Sequence, residues 1–123
     1  MKLPFFKKNA IVSLQTEAQK VNLDTQIAER LYDELKTTSG NIYLLYSFTS
    51  EHGRNGGKFA AKLAEQGDEV SYSVNNKKKY VIAGKSNALQ PNQQEIKEYL
   101  LTKVDLGALY NCVLKEWNIF NIL

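Results

Sequence analysis

A chain of 123 residues, 43% apolar and 24% charged, falls within the size of one domain and can bury a core without disulfides or metal. Those fractions exclude an intrinsically disordered chain, and a formal charge of +3, from 16 basic against 13 acidic residues, demands no nucleic-acid partner. The single cysteine, Cys112, excludes an internal disulfide and an iron–sulfur cluster and fits a reducing, cytoplasmic setting.

At the start, Lys7 and Lys8 interrupt the apolar residues too early for a secretion signal, and no apolar run of about 20 residues suggests a membrane span. Residues 1–22 have weak periodicity and are read as an arm or extra helix, with residues 23–123 as a single α+β domain. From Asp24, an N-cap type, Ile27, Ala28, Leu31 and Leu35 recur at helical spacing, and Gly40 is placed as the terminator. Asn41 to Thr49 is apolar on both alternating faces and is expected in the centre of a sheet. Ser50 and Glu51 suit a helix start, and Phe59, Ala60, Leu63 and Ala64 continue a helical stripe as far as Gly67.

Glu69 to Val74 alternates cleanly as a half-buried strand, Asn75-Asn76 begins a turn, and Lys79 to Ala83 is the returning strand of a hairpin. Gly84 to Gln90 has loop composition, and Pro91 is placed as the opening residue of a helix with Ile96, Tyr99, Leu100 and Val104 on its buried stripe. Gly107 is expected to end that helix, and Ala108 to Leu114 to form the last strand. The resulting β-α-β-β-α-β order over about residues 41–114 predicts a ferredoxin-like antiparallel sheet with both helices on one face, plus the N-terminal helix.

No stretch carries a convincing catalytic or metal-binding pattern. His52-Gly53-Arg54-Asn55-Gly56-Gly57-Lys58-Phe59 resembles a phosphate loop, but aligning Gly57-Lys58 puts His52 at the first glycine and Phe59 where a hydroxyl belongs. An exposed, loosely wound first helical turn is the simpler reading. The only histidine, His52, has no nucleophile tied to it, and Cys112 reads as a small buried hydrophobe. Asp33-Glu34, Asp68-Glu69 and Glu95/Glu98 are assigned to solvated surface or helix-end electrostatics. The chain is therefore expected to be no enzyme and to use no metal or cofactor.

Two features suit partner contact. Lys77, Lys78 and Lys79, with Tyr72 and Tyr80 nearby, have the ingredients of a nucleic-acid patch, although a solvated turn has the same composition. The apolar tail from Trp117 to Leu123 must pack somewhere, either on the domain's own core or sheet edge or on a partner, and Trp117 is its natural anchor.

The segment from Ile42 to Phe120 resembles the RraB family of ribonuclease E inhibitors. The resemblance lies in Tyr46-Ser47-Phe48-Thr49-Ser50 ending a strand, the Ala-rich helix leading to Gly67-Asp68-Glu69-Val70, and the helix-to-strand passage from Gln94 to Tyr110. The family's closing Tyr-Asp-Gly-Trp corresponds either to Tyr110-Asn111-Cys112-Val113 or to an offset placement using Trp117. It implies a non-enzymatic regulator that binds a ribonuclease or its assembly; the candidate partner-binding residues, Lys77, Lys78, Lys79 and Trp117, come from the basic run and the apolar tail and not from the resemblance. An immunity-like protein neutralising a nuclease toxin, or a direct RNA binder using the basic hairpin, are the alternative expectations.

Overall fold

The computed structural model describes residues 22–122, so the arm expected at the start of the chain lies, save its last residue, outside the described residues. In chain order come α1 (residues 22–35), β1 (Ile42–Ser50), α2 (Gly53–Glu65), β2 (Glu69–Val74), β3 (Tyr80–Lys85), α3 (Gln93–Leu109) and β4 (Val113–Asn121). The strands form a single open antiparallel sheet in the order β2-β3-β1-β4.

β1 alternates buried and half-buried residues along its whole length, and Ile42, Leu44, Tyr46, Phe48 and Ser50 form the buried set. The helices meet this face. Phe59 of α2 packs edge-on against Phe48 with ring centroids 4.8 Å apart, and Gly107 of α3 lies against the same ring. Arg30 of α1 stacks over Trp117, which pairs with Tyr46 across β1 and β4. Burying a side chain the size of Phe48, Phe59, Ile82, Ile96 or Leu100 contributes about 1.5–3 kcal/mol each.

The last strand differs from the expected Ala108–Leu114. Helix α3 continues through Gly107 to Leu109, and the sheet extends to Asn121. Gly107 is an interior helical position where a Cβ would sit 2.9 Å from the Phe48 ring, so the glycine permits helix-to-sheet contact and does not stop the helix. The stop comes at Asn111, whose φ of 58° lies in the left-handed region that asparagine tolerates. Cys112 is accordingly buried in the connection before β4, outside the strand. Residues 114 and 117 would face opposite sides of a regular strand, but both Leu114 and Trp117 pair with residues of the covered face, Phe48 and Tyr46. A register shift opposite Ser47 and Phe48, with Lys115 as the extra residue, reconciles this spacing.

Other boundaries move for local reasons. Asp24 lies within α1 and pairs with Lys97 at 3.1 Å instead of capping the helix, and Gly40, φ 77°, belongs to the loop before β1. Asn92, not Pro91, caps α3, its side chain accepting from the Glu95 amide at 3.0 Å. Gly84 lies in β3 rather than in a loop, because the Tyr46 side chain crosses directly over it. Gly67 does end α2, at φ 99°.

Two glycine substitutions separate these packing roles. Gly84→Ala overlaps the Tyr46 ring and should lower stability by about 1–3 kcal/mol. Gly57→Ala, in α2 with its nearest neighbour 3.9 Å away, should raise stability by about 0.5–1 kcal/mol. Urea unfolding of both variants checks the opposite signs.

Candidate functional site

The face of the sheet turned away from the helices carries Tyr43, Leu45, Ser47 and Thr49 of β1, all half-buried, beside Val81, Ala83 and Lys85 of β3. At one end Tyr43 stacks on its cross-strand partner Phe120, centroids 5.5 Å apart, and the Lys85 ammonium lies 4.5 Å above the Tyr43 ring. Phe120 is 42% exposed. A shallow depression of about 470 Å³ runs across the sheet beside this pair, walled by Leu45, Ser47, Ala83, Lys85, Glu116 and Asn118. An aromatic pair next to both signs of charge on a sheet surface is contact chemistry of the kind protein interfaces use.

Lys77, Lys78 and Lys79 occupy the exposed turn joining β2 to β3. Asn75 organises the turn by accepting from the amides of Lys77 and Lys79 at 2.9 and 3.0 Å, while Lys78 takes a φ of 61°. The turn stands at the opposite end of the sheet from Tyr43 and Phe120. There Lys79, Lys115 and His52 surround a cleft of about 280 Å³ with Glu51 and Asn111. Ser50 also lines the cleft, but its hydroxyl is bound to the backbone of His52, donating to the carbonyl at 3.3 Å and accepting from the amide at 3.1 Å. No serine–imidazole pair results. Burial pushes the Cys112 thiol up and away from the thiolate form that a nucleophile needs, with a contact to Ser50 pulling weakly the other way.

The glycine-rich stretch after His52 is the packed first turns of α2, not a loosely wound segment. Gly56 is buried against Tyr72 and Ile82, and Gly53 lies against the Tyr80 ring. Its carbonyl also accepts from the Tyr72 hydroxyl at 2.5 Å. These glycines let the helix approach the sheet closely. Trp117 is likewise built into the core, only 8% exposed, with the Arg30 guanidinium 4.0 Å above its ring and donating to its carbonyl at 2.7 Å. The exposed aromatic of the tail is Phe120, three residues further along β4.

Asp68, expected at the surface, is buried at the centre of a polar network. Its two carboxylate oxygens accept from the hydroxyls of Tyr46 and Tyr99, and the Lys103 ammonium lies 3.3 Å from one of them. Lys103 also donates to Gln66 at 2.5 Å and lies 4.6 Å above the Tyr99 ring. Asp68 and Lys103 are 5% and 4% exposed, and no buried side-chain polar atom among the described residues lacks a partner. The sequence held one clue: Lys103 shares a 4-3-4 spacing with the buried Ile96, Leu100 and Gly107, so a charged side chain had to enter the covered face.

No group of histidine, cysteine, aspartate or glutamate among the described residues could hold a metal ion, and no described helix is long and apolar enough to cross a membrane. No protein-family model matches the chain, and no curated protein matches it in sequence.

Burial first, then the hydrogen bonds to Asp68, push the tyrosine hydroxyls of Tyr46 and Tyr99 well above their ordinary value of 10.0. Above about pH 10 the unfolded chain releases protons that the folded chain keeps, so stability falls as pH rises, by about 1.4 kcal/mol per pH unit for each such group. Tyr46→Phe should flatten that alkaline slope by one tyrosine's share. Asp68→Ala leaves the Lys103 charge buried without its partner and should cost about 3–5 kcal/mol at neutral pH, read by denaturant unfolding.

Proposed function

We propose that this protein is a non-catalytic, cytoplasmic regulator that binds a protein partner through the uncovered face of its sheet, and that the partner is a ribonuclease or its assembly. The observation that carries the reading is the Tyr43–Phe120 stack with Lys85 above it, on a sheet face that the described helices leave open. The partner class rests on the resemblance of residues 42–120 to ribonuclease E inhibitors. A ferredoxin-like framework is part of the same proposal: the strand order β2-β3-β1-β4, with α2 joining β1 to β2 and α3 joining β3 to β4, supports it.

Direct RNA binding is the second reading, favoured by a specific arrangement. Lys77 and Lys78 stand exposed in the turn, half-buried Lys79 lines a cleft together with Lys115, and no ion pair among the described residues engages any of the four. Such a patch attracts phosphate and loses affinity steeply with salt.

Titrating the protein into cleavage of a labelled single-stranded RNA by purified ribonuclease E separates the two. The regulator reading expects inhibition that saturates with protein and a direct protein–protein signal in calorimetry. Tyr43→Ala with Phe120→Ala should then weaken binding by about 2 kcal/mol or more, while alanines at Lys77, Lys78 and Lys79 change it little. Inhibition that follows those lysines and vanishes at high salt would transfer the function to RNA binding, and no effect on the enzyme would remove the named partner.

A further inference from the structure

The two edges of the sheet are built differently. β4 is guarded by a bulge and by Lys115 and Glu116, devices that keep an edge from pairing with another chain. β2 has none of them: Glu69-Val70-Ser71-Tyr72-Ser73-Val74 is regular and proline-free, and its only charge is at its first residue. Among the described residues nothing pairs with its outer side, and Tyr72 and Val74 beside it are 43% and 58% exposed.

The ladder geometry fixes what the edge offers. Asn75 donates to the Lys79 carbonyl at 2.9 Å, which marks that pair as hydrogen-bonded. By the two-residue alternation of an antiparallel ladder, residues 73, 71 and 69 then turn their backbone groups toward β3. Val70, Tyr72 and Val74 turn theirs outward.

We propose that two copies of this chain associate through their β2 edges, antiparallel about Tyr72, to make one continuous sheet. A two-fold axis requires each residue to tolerate its mirror position, and Val70-Ser71-Tyr72-Ser73-Val74 reads the same in both directions. The register sets Val70 opposite Val74, Ser71 opposite Ser73 and Tyr72 opposite Tyr72, so that β-branched and aromatic residues meet their own kind and no like charges face each other. All three outward-facing residues of each strand find partners in this register and in no register displaced by one. The pairing also sets Glu69 of one copy opposite Asn75 of the other, bringing the Lys77–Lys79 turn alongside the acidic start of β2. Complementary charge thus meets at both ends of the contact.

Sedimentation velocity of the full chain over a concentration series tests the pairing. The expected result is a reversible species of twice the chain mass. Val74→Pro removes an outward donor without removing a β2–β3 bond and should weaken association about tenfold or more. Ser71→Lys with Ser73→Lys sets lysine against lysine across the two-fold and should give a monomer, whereas Ser71→Glu with Ser73→Lys sets opposite charges there and should keep the dimer. Circular dichroism of each variant establishes that it is folded. A wild-type chain that stays monomeric at every concentration reached, or a dimer indifferent to both charge combinations, would overturn the proposal.

Discussion

The carboxylate of Asp68 is the point on which the arrangement of the elements depends. It follows Gly67 at the end of α2, accepts from Tyr46 in the central strand and from Tyr99 in α3, and balances Lys103 one turn further along that helix. Removing two charges from water costs several kcal/mol for each ion, and their attraction offsets this only when the remaining polar valences are filled. Here they are filled, by two hydroxyls on the carboxylate and by Gln66 and the Tyr99 ring on the ammonium. An apolar cluster of similar volume tolerates small slips of one element past another; this network has one satisfied geometry. It therefore fixes where α2 ends and where α3 crosses the sheet.

That fixed geometry divides the sheet into two faces with different roles. The covered face spends its aromatic residues on packing: Phe48 on Phe59, Tyr46 over Gly84, Trp117 under Arg30. The opposite face keeps Tyr43 and Phe120 at the surface on strands that cannot shift without breaking the covered side. A rigid display of a few aromatic and charged side chains loses little entropy on binding, which is what the proposed contact requires. His52, the only imidazole, stands apart from this face at the rim of the basic cleft, where the Ser50 hydroxyl is already bound to backbone.

Local periodicity made much of this legible in the sequence. The nine-residue β1 and the helical stripe of Phe59 and Leu63 carry their own signal and fall where the spacing puts them, whereas Glu69–Val74 is a strand as its alternation predicts but, at the sheet edge, is exposed at every position except the half-buried Val70. What failed was whatever depends on a partner distant in the chain. Gly107 looks like a helix terminator until the Phe48 ring lies against it, and the passage from Ala108 alternates like a strand although its first residues complete α3. The bulge at Lys115 hides the common face of Leu114 and Trp117 from any two-residue pattern. Asp68 next to Glu69 reads as solvated surface because nothing within a turn of it reveals Tyr46, Tyr99 and Lys103. For the candidate site, the lysines of the β2–β3 turn were visible as a run, whereas Tyr43, Lys85 and Phe120 come together only through the pairing of three strands.

The account turns on the uncovered face being the surface that meets a partner. Amide spectra of the isotope-labelled protein, recorded during titration with purified ribonuclease E, test this most directly. Shifts and broadening concentrated at Tyr43, Leu45, Lys85 and Phe120, with the outer surfaces of α2 and α3 unchanged, are the predicted result. Perturbation confined to the helices or to the Lys77–Lys79 turn, or spectra that do not change, would contradict it.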